Sequence, residues 1–178
     1  MKKPRRIFIV GHMGAGKSLF AEALAKKLAW QVVDANPSIE RYIGRSINDI
    51  LGEHGVAAFN HTQAEIIAYD QHHDNVVVLL EECIASSAQC RQLLSSEFVV
   101  YLKVSIPTQL SRMKHGRVPA LPVDDLQHFL EKQHHERDAF YEAVATLVVE
   151  SVVNASNINT TVEDDVNQVL RALEGDKY

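Results

Sequence analysis

Five short runs of this chain are apolar or β-branched at nearly every position, and each run lies between segments with helical spacing. The runs cover residues 5–10, 31–34, 76–80, 98–102 and 146–150. Apolar residues at consecutive rather than alternate positions are typical of strands that are buried on both faces of a parallel sheet. Strands that alternate with helices in this order predict an α/β fold with helices on both faces of the sheet.

Helical spacing and capping residues predict the segments between these strands. The first helix, residues 17–29, is predicted to turn one apolar face toward the sheet, formed by Leu19, Phe20, Ala23, Leu24 and Leu28. Further helices are predicted at residues 55–71, 84–95 and 107–114, from Asp124 and Asp125 to about 143, and after an N-cap at Thr161. A glycine and two prolines predict that residues 115–123 form a loop.

The turn after the first strand carries the clearest chemical signal. Residues 11–18 read GHMGAGKS and fit the pattern G-x-x-x-x-G-K-[ST] between a predicted strand and a predicted helix. In this pattern the backbone N–H groups and the helix N-terminus hold phosphate oxygens. Lys17 is placed to reach the outer phosphates and Ser18 to bind Mg²⁺. The predicted nucleotide-binding residues here are Gly11, Met13, Gly14, Ala15, Gly16, Lys17, Ser18 and Leu19.

Composition narrows the class of protein without identifying a partner. The chain has 178 residues, of which 46% are hydrophobic and 23% charged, which predicts one globular domain over residues 1–178. A net charge of −5 disfavours nucleic acid as a partner. No stretch has the composition of a membrane span, and two cysteines favour a reducing, cytoplasmic setting. A monomer is expected, and the adjacent histidine pairs 72–73 and 134–135 are not expected to bind metal, because neighbours on a helix diverge.

Beyond the phosphate loop, several segments in order resemble the shikimate kinases. These segments are VVDANPSIE, IERYIGRSINDIL, GVAAF, FVVYL, HGRVPAL and HERDAFYEAVA. The resemblance covers nearly the whole chain. It implies a doubly wound kinase of the P-loop type with a five-stranded parallel sheet, a mobile lid at about residues 112–124 and an acceptor-binding region at about 35–62. It also implies ATP and Mg²⁺ as cofactors and a small hydroxylated acid, shikimate in the family, as acceptor.

The same resemblance assigns roles to individual residues. Lys17 would stabilise the phosphoryl group in transfer, while Ser18 would bind Mg²⁺ and Asp34 would lie beside the metal. Arg117 on the lid would reach the phosphates. Arg112 is expected near the adenine, and Arg137 is expected to pair with the carboxylate of the acceptor.

At the acceptor pocket the chain departs from the family pattern. Asn36 and Asn60 stand where the family has an aspartate and an arginine. After the third strand the chain has Leu80, Glu81 and Glu82 in place of a triple-glycine turn. Asn60 removes a charge-assisted hydrogen bond, which is worth about 1.5–3 kcal/mol. These substitutions predict a changed or weakened acceptor site made of Asp34, Asn36, Asn60, Glu82 and Arg137.

Two other functions are compatible with the residues. The stretch VVVLLEE at 76–82 matches an apolar strand that ends in acids, as in ATPases, so Glu81 would orient water on Mg²⁺ and Glu82 would activate a nucleophile. Alternatively the segment is a strand followed by a helix whose first turn favours glutamate. The remaining function is a non-catalytic nucleotide-binding module that serves regulation or assembly.

Overall fold

The structure is a computed structural model that describes residues 4–34, 55, 61–80, 87–114, 124–151 and 158–175. Several positions singled out above lie outside these ranges, namely Asn36, Asn60, Glu81, Glu82 and Arg117. Most of the predicted acceptor region (35–62) and of the predicted lid (112–124) also lies outside them.

The five predicted strands form one parallel sheet. The strands are β1 (Arg6–Val10), β2 (Gln31–Asp34), β3 (Val76–Leu79), β4 (Phe98–Lys103) and β5 (Leu147–Glu150). They are hydrogen-bonded in the order β2-β3-β1-β4-β5, with every neighbouring pair parallel. Every strand boundary lies within one residue of its prediction, and the predicted α/β fold class is confirmed.

Helices connect the strands across both faces of the sheet. They are α1 (Lys17–Leu28), α2 (residues 61–70), α3 (Ala88–Leu94), α4 (Ile106–Lys114), α5 (Leu126–Val144) and α6 (Ile158–Glu174). The Asp125 side chain caps α5 by accepting a hydrogen bond from the amide of His128 at 3.0 Å, as its position in the sequence predicts. None of the helices in the described ranges combines the length and apolar character that a bilayer-spanning segment requires.

The sheet separates two hydrophobic cores, because successive residues of each strand point to opposite faces. Ile7 and Ile9 of β1 pack with α1 and α6 on one side. Phe8 and Val10 pack with α2, α3 and α5 on the other. Helix α1, which follows β1, therefore covers one face of the sheet, and α5 covers the opposite face. The loop after β1 lies at the carboxyl edge of the sheet, between these two helical layers.

Two details of the helix predictions are wrong. Leu19 is 57% exposed, and the buried face of α1 consists of Phe20, Ala21, Leu24 and Ala25. The small side chains of the two alanines let the helix pack closely on the sheet, so the face is rotated toward them. Thr161 does not cap α6, which begins three residues earlier at Ile158, and Thr161 is buried within the helix.

Candidate functional site

The phosphate loop leaves the central strand β1 and passes directly against its neighbour β4. Gly11 has a φ angle of +149°, and a Cβ atom added to it would lie 2.7 Å from the backbone oxygen of Leu102. Gly16 has a φ angle of +92° at the N-cap of α1. Both positions therefore need glycine, one for space and the other for a left-handed backbone conformation.

Lys17 bonds to the start of the loop that precedes it. Its ammonium group donates to the carbonyl oxygen of Gly11 at 2.8 Å and to that of His12 at 3.1 Å. The amide of Ala15 also donates to the carbonyl of His12, at 3.1 Å. These contacts close the loop on itself and hold the ammonium group at the N-terminal end of α1.

Helix α4 holds two further carbonyl groups of the loop. The side-chain amide of Gln109 donates to the carbonyl of Met13, and Arg112 donates to the carbonyl of Ala15 at 2.6 Å. In a trans peptide the N–H group points away from the carbonyl of the same unit. With these two carbonyls directed at α4, the amides of Gly14 and Gly16 are directed away from α4.

Arg112 also reaches the end of the last strand. Its second guanidinium nitrogen donates to the hydroxyl of Ser151 at 2.9 Å. Burial raises the pKa of Asp165 in α6, although Ser151 and Arg112 act in the opposite direction. Burial likewise lowers the pKa of Arg112 from its ordinary value, and the nearby Asp165 opposes that shift. Arg112 thus links the loop after β1 to the end of β5 and to α6.

A cluster of polar side chains, which the sequence analysis did not predict, lies behind the loop. His12 is only 2% exposed, and its Nε2 atom lies 2.6 Å from Oδ1 of Asp138. Its ring stacks on His134 with the centroids 3.9 Å apart and meets the edge of Tyr141 at 5.0 Å. His12 is buried because α5 packs against the loop at this point.

Asp138 is the centre of this cluster. Besides His12 it accepts a hydrogen bond from the hydroxyl of Tyr101 at 2.8 Å and lies 3.1 Å from Nδ1 of His134. Burial alone would raise the pKa of Asp138, but the hydrogen bonds from His12 and Tyr101 outweigh it and leave that pKa below its ordinary value. Burial lowers the pKa of His12 to about 4, against the influence of Asp138, so this imidazole is neutral near pH 7.

Among the predicted site residues that the structure describes, Asp34 lies at the carboxyl end of β2, the same edge of the sheet at which the phosphate loop leaves β1. Ser18 is exposed in the first turn of α1, and Asp34 is exposed at the last position of β2, in register with Leu79 of β3. Arg137 is half-buried on α5, and its charge contributes to the lowered pKa of His12. Leu19 is exposed beside Ser18.

Sequence reasoning missed the residues behind the loop, chiefly His12, Gln109, Asp138 and Tyr101. Asp138 and Tyr101 lie in segments that were used to predict a strand or the family, not a polar cluster. Gln109 occupies a helical position with no distinguishing sequence signal. The usable signal was a histidine inside a glycine-rich loop. In this structure the side chain at that position is buried, and a buried imidazole needs a polar partner.

Comparison with known proteins identifies the family. The family model for shikimate kinase matches residues 13–174. The chain belongs to the shikimate kinase family. It is 34% identical over 176 residues to the shikimate kinase of Francisella tularensis subsp. novicida, with 97% of each chain covered. It is 35% identical over 179 residues to the shikimate kinase of Francisella philomiragia, again with 97% of each covered.

Solved structures agree with this assignment. The shikimate kinase of Acinetobacter baumannii in complex with shikimate matches with a TM-score of 0.83 and 26% identity, covering 99% of this chain and 96% of that one. A deoxyadenosine kinase from M. mycoides shares the fold more distantly, with a TM-score of 0.58 and 19% identity over 94% of this chain and 99% of that one. The resemblance that the motifs indicate is confirmed, and this family member is an ATP-dependent kinase of the shikimate kinase type.

Proposed function

We propose that this protein transfers the terminal phosphoryl group of Mg·ATP to a hydroxyl group of a small carboxylic acid, and that shikimate is the first acceptor to test. The observation that carries the proposal is the phosphate loop. Its carbonyls at Met13 and Ala15 are held by α4, while the amides of Gly14 and Gly16 face the opposite side. Converging amides at a helix N-terminus form a binding site for phosphate.

Each residue of the loop region has a defined part in this proposal. Lys17 supplies positive charge next to the phosphoryl group in transfer. The exposed oxygens of Ser18 and Asp34, a hydroxyl and a carboxylate at one edge of the sheet, are the hard ligands that Mg²⁺ prefers. Mg²⁺ supplies charge neutralisation on the phosphate oxygens. Arg112 holds the loop through Ala15, in addition to the contact with adenine that the family implies.

The acceptor is proposed from the family and from Arg137. The shikimate-bound relative from Acinetobacter baumannii shares the fold over nearly the full length, and Arg137 matches the family arginine that pairs with a carboxylate. Asn36 and Asn60 remove two charged side chains from the family pattern. We therefore propose an anionic hydroxy acid that is held more weakly through this pocket than shikimate is in family members that keep those charges.

A coupled assay of ADP release tests the proposal. Purified full-length protein is supplied with Mg·ATP alone, with shikimate and with a panel of cyclic and acyclic hydroxy acids. Turnover that depends on an added acid, and that falls in Arg137→Ala through a higher KM for that acid, supports the proposal. Arg91→Lys, on α3 with its guanidinium over the Phe140 ring, serves as the matched control.

Two outcomes contradict it. Turnover that is equally fast without any acceptor, and that is lost in Glu82→Gln, would identify an ATPase. Tight binding of ATP with no turnover across the whole panel would identify a nucleotide-binding module instead of a kinase.

A further inference from the structure

Two hydrogen-bond paths lead from one carboxylate on α5 to two consecutive residues of the phosphate loop. In the first path, Oδ1 of Asp138 accepts directly from Nε2 of His12 at 2.6 Å. The second path starts at Oδ2 of the same carboxylate, which lies 3.1 Å from Nδ1 of His134. It continues from Nε2 of His134 to the side-chain oxygen of Gln109 at 2.9 Å, and the Gln109 amide donates to the carbonyl of Met13. Asp138 therefore holds the loop at its second and third residues.

The donors and acceptors along the second path fit one arrangement of protons. Because the Gln109 nitrogen donates to Met13, the Gln109 oxygen must accept, so Nε2 of His134 carries a proton. The hydrogen bond from Nδ1 to the Asp138 carboxylate needs a second ring proton, so the path is complete with an imidazolium ion at His134. In Asp138→Asn the side-chain nitrogen would donate to Nδ1 of a neutral ring, so the amide also completes the path.

Packing and a backbone contact hold His12 in this position. Its buried ring stacks on the His134 ring with the centroids 3.9 Å apart, and it meets the edge of Tyr141 at 5.0 Å. Its carbonyl oxygen accepts from the ammonium group of Lys17 at 3.1 Å. One residue of the loop is thus fixed through its side chain to α5 and through its backbone to α1.

We propose that Asp138 is a positioning residue that holds the phosphate loop in its nucleotide-binding conformation before the nucleotide binds. The loop amides converge on phosphate only when their peptide units are correctly oriented, and the two paths fix His12 and Met13, which directly precede the amide of Gly14. Ordering one backbone residue costs about 1–2 kcal/mol, so a loop that is ordered in advance loses less of the binding free energy. The inference rests on the ATP-binding part of the proposed function.

A purely structural role for Asp138 makes a different prediction. Its carboxylate also accepts from the hydroxyl of Tyr101 in β4, so it contributes to the packing of α5 on the sheet. If that were its whole role, replacing Asp138 would lower the free energy of unfolding and leave the ATP affinity of the folded protein unchanged. Nucleotide affinity in folded variants therefore separates the two roles.

Isothermal titration of folded, full-length protein with Mg·ATP tests the proposal. We expect Asp138→Ala to bind ATP at least about tenfold more weakly than the wild type, because its loop must be ordered on binding. Asp138→Asn should bind within about threefold of the wild type, because an amide can keep both paths. Glu131→Ala is the matched control, since it removes a carboxylate from an exposed position of the same helix, and it should bind as the wild type does.

Hydrogen exchange of residues 11–18 in the absence of nucleotide gives a second measurement that does not depend on ATP binding. The loop amides should exchange about tenfold faster in Asp138→Ala than in the wild type, and at the wild-type rate in Asp138→Asn. His134→Phe keeps a ring stacked on His12 but removes the second path, so faster loop exchange is expected there too. This variant takes the place of Asp138→Ala if the latter does not fold.

The proposal is overturned if folded Asp138→Ala binds ATP as tightly as the wild type, or if its loop amides exchange as slowly. It is also overturned if Asp138→Asn is impaired as strongly as Asp138→Ala. A wild-type protein that binds no ATP would contradict the proposed function, and the exchange rates would still decide whether Asp138 orders the loop.

Discussion

The backbone of Gly11 lies so close to the carbonyl oxygen of Leu102 that a single added carbon would approach that oxygen to 2.7 Å. Both groups belong to main chain that is held in the sheet, one following β1 and the other within β4. Leu102 is paired with Val149 of β5, and Gly11 directly follows the last paired residue of β1, so neither group can shift far without disturbing the sheet.

Gly11→Ala is therefore expected to lower the free energy of unfolding by about 2 kcal/mol or more, since it combines a backbone clash with a φ angle unsuited to alanine. Urea denaturation measures the effect. Gly175→Ala is the control, because a Cβ atom there meets nothing within 4 Å, and its effect should be within about 0.5 kcal/mol. A change of that small size at Gly11 would show that the loop does not press against β4.

Lys17→Ala should abolish ATP binding while leaving the fold intact. The ammonium group donates to the loop carbonyls of Gly11 and His12, so its loss removes positive charge from the loop, while the buried face of α1 is unchanged. Calorimetry with Mg·ATP gives the affinity, and circular dichroism checks the fold. Lys26→Ala, exposed on the same helix, should bind ATP as the wild type does. Unchanged ATP affinity in Lys17→Ala would count against the phosphate-loop assignment.

Arg112→Lys is expected to weaken ATP binding about tenfold. A guanidinium group can bond Ala15 and Ser151 at once, whereas an ammonium group on a shorter stem cannot keep both contacts. The tenfold change corresponds to about 1.4 kcal/mol, near the net value of one hydrogen bond to a charged group. Ser151→Ala leaves the Ala15 contact in place and should have a smaller effect. Equal losses of ATP affinity in Arg112→Lys and Ser151→Ala would indicate that Arg112 acts only through its contact with Ser151.

Tyr101→Phe should destabilise the protein by about 1.5–3 kcal/mol, the value of a hydrogen bond to a charged group. The Tyr101 side chain is fully buried and its hydroxyl donates to Asp138 at 2.8 Å, so no water is expected to replace it. Thermal and urea unfolding give the change. Tyr69→Phe, at a position that is 65% exposed, should have almost no effect. If both variants lower the free energy of unfolding by similarly small amounts, the hydroxyl of Tyr101 does not stabilise the cluster.

Asp70 should make the stability depend on pH. Burial raises its pKa in the folded protein to about 6 from an ordinary 3.8, and one of its carboxylate oxygens has no hydrogen-bond partner among the described residues. The folded state thus holds the proton more tightly than the unfolded chain. The resulting stabilisation is complete below about pH 4 and is lost as the pH rises through 6.

Asp70→Asn removes this titration, so its advantage over the wild type should grow between pH 4 and pH 7 by about 3 kcal/mol, the free-energy equivalent of the shift. Urea unfolding at several pH values gives the difference. Asp74→Asn, at a half-exposed position nearby, is the control and should show no comparable trend. A pH-independent difference between wild type and Asp70→Asn would mean that folding leaves the pKa of Asp70 unchanged.

The sequence predicts the sheet well because its signals are local. Each strand is a continuous apolar run bounded by polar or glycine residues, and the phosphate loop is a contiguous motif with a fixed relation to its strand and helix. The buried face of α1 was mispredicted because alanines at 21 and 25 carry little hydrophobic signal although they pack against the sheet. Thr161 was predicted to cap α6 because three acidic residues follow it at positions 163–165, but the helix begins earlier, at Ile158.

The cluster behind the loop escaped prediction for a different reason. Asp138 lies 126 positions from His12 and 37 from Tyr101, so nothing in the neighbourhood of any one of them indicates the others. Only the packing of α5 on the loop brings them together. The roles of Lys17, Arg112 and Arg137 in binding and catalysis remain predictions that the assays above test, and the roles of Ser18 and Asp34 remain predictions as well.

The contact between Arg112 and Ala15 joins residues 97 positions apart, and through Ser151 it extends to the outermost strand. A structural change at this edge of the sheet would therefore be transmitted to the phosphate loop. Replacements near the end of β5 that leave the protein folded should consequently be sought among variants with altered nucleotide affinity, although none of those side chains belongs to the phosphate loop.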